Sequence, residues 1–161
     1  MTPTELIFVS CVRQVLKRIY EPRIEPAWSD GSQLRLSLFE MLERCDADTA
    51  SKASATGATI AAHVHALSTS LQDVNESFMN EPGRLHDQTS WSNPVSDAEW
   101  REIHSNLKSE YHQLQGWLSI EFNSFFPISE AYLFELGLGL VSQASYHLGT
   151  LEQLLGTQSW R

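Results

Sequence analysis

Apolar residues recur every three or four positions through four long stretches of this chain, and no stretch shows the strict alternation that marks a half-buried strand. The first runs from about Glu5 to Tyr20, with Phe8, Cys11, Val12, Val15, Leu16 and Ile19 on one stripe and Thr4 as the expected cap. Pro22, Pro26 and Gly31 then force the chain out of helix. A shorter helix is expected from about Leu34 to Cys45 or a little beyond, ending before the small, polar run SKASATG. The second long helix spans about Ala58 to Phe78, and Ile60, Leu67, Leu71, Val74 and Phe78 form its buried face.

The segment MNEPGRLHDQTSWSNPV holds Pro82, Gly83 and Pro94 and reads as a long loop anchored by Trp91, of the kind that often covers a site. Ser96-Asp97-Ala98-Glu99 is a capping box: the serine side chain accepts from a first-turn amide while the glutamate returns to the serine backbone. The helix it opens carries Trp100, Ile103, Leu107, Tyr111, Leu114 and Leu118 on one face, to about Phe122. Pro127 interrupts the chain, Ser129 and Glu130 open the last helix, and Gly156 ends it. Leu133, Leu136, Leu140, Ala144, Leu151 and Leu154 mark its stripe. Gly137 and Gly139 each weaken that helix by about 1 kcal/mol relative to alanine, which suits close helix contact. Four long amphipathic helices and one short one predict an all-α antiparallel four-helix bundle, a single domain over residues 1–161.

Two ionisable side chains interrupt this pattern. At about 100° per residue, His63 lies roughly 50° from the centre of its helix stripe, while His65 points to nearly the opposite face. His147 lies inside the stripe of the last helix and Gln143 at its edge. Residues four apart share a helix face, so Gln143 and His147 can address one ion while a facing helix supplies His63. The plain alternative is a hydrogen-bonded polar patch without metal. His104 lies about 60° from its stripe, His112 further round and His86 in the long loop; none has a partner at ligand spacing. Tyr111 and Tyr146 read as packing residues rather than proton donors.

Charge narrows the partners. With 11 basic and 20 acidic residues the net charge is -9, which excludes a broad phosphate-binding surface and so nucleic acid. Arg13, Lys17 and Arg18 read as a solvated helix face. No apolar run approaches the ~20 residues that span a bilayer, and the start lacks the order of a secretory signal, so no membrane and a cytoplasmic location are expected. Cys11 and Cys45 form neither a CxxC pair nor a disulfide framework; Cys11, on the first stripe, is expected to pack. No GxSxG elbow, phosphate-binding glycine loop or HExxH motif occurs.

Three stretches together resemble the DinB-like helical-bundle superfamily: TIAAHVHAL from Thr59 to Leu67, TSWSNPVSDAEW from Thr89 to Trp100, and SYHLGTLEQLL from Ser145 to Leu155. The last is close to the His-x-Gly-Gln signature of the family's closing helix, with Thr150 where the glutamine would stand. The resemblance implies an up-down-down-up bundle, commonly a homodimer, holding a divalent metal on three histidines. Two of those positions are His63 and His147; the third falls on Gln143, a poorer donor for nickel or zinc than imidazole. It further implies a metal-dependent transferase, in some relatives a thiol-dependent one, or a hydrolase, acting on a small-molecule substrate. The opposing expectation is a metal-free interaction or ligand-binding bundle that has lost the chemistry.

Overall fold

The computed structural model describes residues 2–22, 36–53, 57–79, 94–119 and 130–156. These residues are mostly helical, with no strand among them. The helices are α1 (Pro3–Tyr20), α2 (Leu38–Glu43), α3 (Ala47–Ala50), α4 (Ile60–Phe78), α5 (Asp97–Trp117) and α6 (Glu130–Gly156). The all-α class expected from the periodicity is what the chain adopts. The expected loop anchor Trp91, His86, and Trp28 and Trp160 fall outside the described residues.

Local chemistry sets the helix starts. The capping box at Ser96 forms as the spacing predicts: Ser96 Oγ accepts from the Glu99 amide at 3.3 Å, and the Glu99 carboxylate accepts from the Ser96 amide at 2.7 Å. The same reciprocal pattern links Ser37 with Glu40 and Thr2 with Glu5. Thr2, not Thr4, therefore caps α1, because Pro3 at the first helical position has no amide to satisfy and Glu5 sits where it can reach back. The expected short helix is two shorter ones: α2 stops at Arg44, and Asp46 starts α3 by accepting from the Thr49 amide at 2.8 Å. The third long helix, α5, ends at Trp117 rather than near Phe122, with Leu118 as its cap.

Side-chain burial follows the predicted stripes on α4, α5 and α6 and corrects α1. Leu16, Ile60, Leu71, Leu107, Leu114 and Leu151 are fully enclosed, each contributing about 1.5–3 kcal/mol by leaving water. On α1 the buried face is Val9, Val12, Leu16, Ile19 and Tyr20, while Cys11 and Val15 face solvent. Arg13 is half-buried beside this face, its Nε donating to Gln115 Oε1 on α5 at 3.4 Å. Arg13 thus leaves the solvated basic face on which its spacing with Lys17 and Arg18 placed it. Helix α4 packs against both α5 and α6, and α1 packs against α6. Gly137 permits that last contact: a β-carbon there would lie 2.7 Å from the Phe8 ring. Gly139, by contrast, faces open space.

Candidate functional site

The start of α4 is fixed locally. Gly57 takes a left-handed φ of 86°, and an isolated bridge pairs Ala53 with Thr59. Thr59 then caps the helix, its hydroxyl accepting from the Ala62 amide at 3.1 Å and its carbonyl from the His63 amide at 3.1 Å. His63 therefore stands one turn into α4, beside the enclosed Ile60, Val64 and Leu67. On α6, buried Ala144 and Leu151 flank His147 at three residues before and four after, so its ring is drawn toward the same seam.

Across that seam the two imidazoles meet nitrogen to nitrogen. His63 Nδ1 lies 3.1 Å from His147 Nδ1, the ring centroids are 5.2 Å apart, and the ring planes cross at 65°. Both side chains are half-buried. Burial lowers the pKa of His63, and burial together with the neighbouring His63 lowers that of His147 to about 4. Both rings are therefore neutral near pH 7, which is the protonation state a metal ligand requires. His63 Nε2 is buried and has no hydrogen-bond partner among the described residues.

The separation suits two chemistries. In one, the first Nδ1 carries a proton and donates it to the lone pair of the second. In the other, both lone pairs converge on one ion: with metal–nitrogen bonds of about 2.0–2.1 Å, two such donors stand about 2.9 Å apart at a right angle and about 3.4 Å apart at the tetrahedral angle. The observed 3.1 Å lies between these limits. The pair thus fits as one edge of a coordination shell.

Gln143 does not join the pair in the interior; it is exposed, one turn before His147, with Ala144 beside it buried. Among the described residues no group of three His, Cys, Asp or Glu side chains is arranged to hold a metal ion. His65 is half-buried and His112 exposed. His104 is half-buried and stacks on Trp100 with ring centroids 6.2 Å apart. Its Nε2 is also buried without a partner among the described residues, and burial and then Lys108 lower its pKa. Tyr146 meets His147 edge-on at 5.1 Å between ring centroids but is exposed rather than packed inside.

Two polar pairings, though not the placing of Tyr111 toward the bundle, escaped the periodicity. Tyr111 is fully enclosed and donates to Glu21 Oε1 at 2.6 Å; burial first, then that carboxylate, raise its pKa and hold the hydroxyl protonated. The partners are far apart in sequence, so no local signal joins them. Asn75 is 1% exposed and donates to the Glu110 carbonyl at 3.0 Å and carboxylate at 2.8 Å. Its position four residues after Leu71 and three before Phe78, on the apolar face, was the available signal.

No family model, curated protein or solved structure matches this chain.

Proposed function

We propose that this protein is a DinB-like metal-binding bundle in which His63 and His147 hold a divalent nickel or zinc ion. The observation that carries this reading is the apposition of two neutral Nδ1 atoms at 3.1 Å across the α4–α6 seam. A bound ion supplies Lewis acidity, lowering the pKa of a coordinated water or thiol toward neutrality. The residues of this chain would fix its position and, through the apolar neighbours Ile60, Val64 and Leu151, limit water around it. A metal-dependent transferase or hydrolase acting on a small molecule is the activity consistent with such a site; that choice rests on the resemblance rather than on geometry. The test is elemental analysis of untagged protein purified without chelator, followed by nickel and zinc titration of wild type and His63→Ala. Near-stoichiometric metal lost in the variant supports the reading, and uptake unchanged by the substitution overturns it.

The up-down-down-up arrangement is part of the same proposal, and contacts between helices support it. Phe8 meets Phe134 and Val12 meets Gly137, so α1 and α6 advance together. Asn75 bonds Glu110 and Phe78 stacks near Trp117, so α4 and α5 advance together. Arg13 bonds Gln115 whereas Tyr20 stacks on Tyr111, so α1 and α5 run oppositely. A homodimer is also proposed. Exposed Leu6, Ile7 and Val15 on α1 and Leu138 and Tyr146 on α6 offer apolar surface for it. Sedimentation equilibrium tests it, and a monomer at all concentrations would exclude it.

A second reading, a metal-free bundle that binds a ligand or partner, is favoured by the exposure of Gln143 and by a separation that also suits an Nδ1–H···Nδ1 hydrogen bond. Gln143→His separates the two. Gain of tight nickel or zinc binding would mark a site intact except for one ligand; no gain would mark a remodelled pocket.

A further inference from the structure

Building on the homodimer reading above, we propose that α1 packs antiparallel to α1 of a second copy about a two-fold axis, the two helices crossing at Cys11. Helix α1 has two apolar sides. Val9, Val12, Leu16 and Ile19 are buried in the bundle, whereas Ile7 is 65% exposed, Val15 37% exposed, and Cys11 between them faces solvent. Residues four apart share a helix face, so these three form one stripe along the outside of α1. A surface helix ordinarily turns polar side chains outward, and a second apolar stripe marks a contact made beyond its own bundle. The stripe continues onto α6. Gly137 lies against Phe8 and Val12, and Leu138, next to it, is 63% exposed. A step of about 100° away from buried Leu140 and Ala144 sets Leu138 on the solvent side of the α1–α6 seam, beside the α1 stripe.

What fits this face is the face itself. Cys11 stands four residues after Ile7 and four before Val15, so an antiparallel copy crossing at Cys11 sets Ile7 of each chain against the partner's Val15. The charges of α1 are complementary in the same register. Its first turn is acidic at Glu5 and its last turn basic at Lys17 and Arg18, and Glu5 and Lys17 stand six residues either side of Cys11. Antiparallel pairing therefore brings the basic end of each helix to the acidic end of the other and opposes the two helix dipoles favourably. Parallel pairing would bring like ends together. Copies of a chain with net charge -9 repel at long range, so this local complementarity selects the one approach in which they associate.

Sedimentation equilibrium of the full chain tests this on wild type, Ile7→Lys, Val15→Glu and an equimolar mixture of the two variants, with far-ultraviolet circular dichroism to confirm that each is folded. Wild type should be a dimer, and each variant alone should dimerise at least about 10-fold more weakly, the loss usual for a central contact. Mixing should restore association, because the introduced lysine of one chain then meets the introduced glutamate of the other while the second Ile7–Val15 contact is unchanged. Oxidation with copper phenanthroline should join the two Cys11 thiols of the wild-type dimer, which give up two electrons and two protons to the oxidant, and should fail in Cys11→Ser. Cys45 does not substitute, since it is buried and its thiol is pushed up to about 12. A wild-type dimer that both charges leave intact would overturn this face while leaving a homodimer standing. Weakened variants that mixing does not restore would overturn the antiparallel register. A monomer at all concentrations would overturn both the face and the homodimer, and slow reaction of Cys11 with a soluble maleimide in that monomer would show that the chain itself covers the stripe.

Discussion

His63 and His104 look alike by every single-residue measure and differ in what faces them. Both are half-buried on amphipathic helices, both have a pKa lowered first by burial, and both keep a buried Nε2 with no partner among the described residues. His104 lies against the Trp100 ring, near Phe39 and beside Lys108, which itself pairs with Glu43 at 3.0 Å. His63 instead faces a second imidazole nitrogen at 3.1 Å. Burial alone favours a neutral histidine; what sets His63 apart is a second imidazole nitrogen within hydrogen-bond distance. The first region is ring packing, and the second is the one on which the proposed function rests.

The sharpest way to break this comparison is to remove the packing partner. Trp100 is buried and its indole N–H donates to the Cys45 carbonyl at 2.7 Å, tying α5 to the segment between α2 and α3. Trp100→Ala should cost about 3–5 kcal/mol in urea unfolding by leaving a cavity and an unpaired carbonyl. On the metal-binding proposal, residual folded protein should bind nickel or zinc as wild type does. Loss of affinity out of proportion to folding would show that the two regions are one unit.

Next in size is metal uptake itself. His147→Ala should weaken nickel or zinc binding by more than about 100-fold, beyond what loss of an outer partner produces. His104→Ala should leave it within about 2-fold, as expected of a distant, independent site. Equal losses in dialysis of the two variants would erase the distinction drawn between the histidines.

The helical periodicity made most of this legible before any coordinates. The stripes of α4, α5 and α6, the Ser96 capping box and the candidacy of His63 and His147 all follow from spacing, because one face of each helix must leave water. Where α1 departed, the partners that decide the face are distant in sequence: Val9 and Tyr20 are buried, Arg13 meets Gln115 on α5, and Cys11 and Val15 are left exposed. Gln143, expected at the edge of its stripe, is exposed, and Ala144 takes the interior position. The 3.1 Å approach of the histidines was beyond local pattern altogether, since it depends on how α4 and α6 dock.

Acid should reveal both histidine environments at once. The unfolded chain takes up protons near pH 6.5, whereas burial keeps His63, His104 and His147 neutral in the fold to lower pH, for His147 to about 4. The unfolded state thus binds more protons in this window. Stability of the metal-free protein is fully present above about pH 6.5 and declines as pH falls toward about 4. Urea midpoints with chelator present should show this fall, and His104→Phe should flatten part of it while leaving the contribution of the pair. A flat profile from pH 7 to 5 would contradict burial of all three rings.

The smallest effect separates two glycines on α6. At Gly137 a new methyl group would meet the Phe8 ring at 2.7 Å and Val12 at 3.0 Å, so Phe8 and its contact with Phe134 would have to shift. At Gly139 no atom of the described residues lies within 4 Å, and helix propensity is what is at stake. Gly139→Ala should therefore raise stability by about 0.5–1 kcal/mol. Gly137→Ala should fall short of that gain, because the same propensity benefit is offset by disturbed packing between α1 and α6. Thermal melts of the two variants at one protein concentration measure the difference directly. Equal gains would mean that the α1–α6 seam yields freely to a methyl group and that glycine at 137 is not what lets those helices approach.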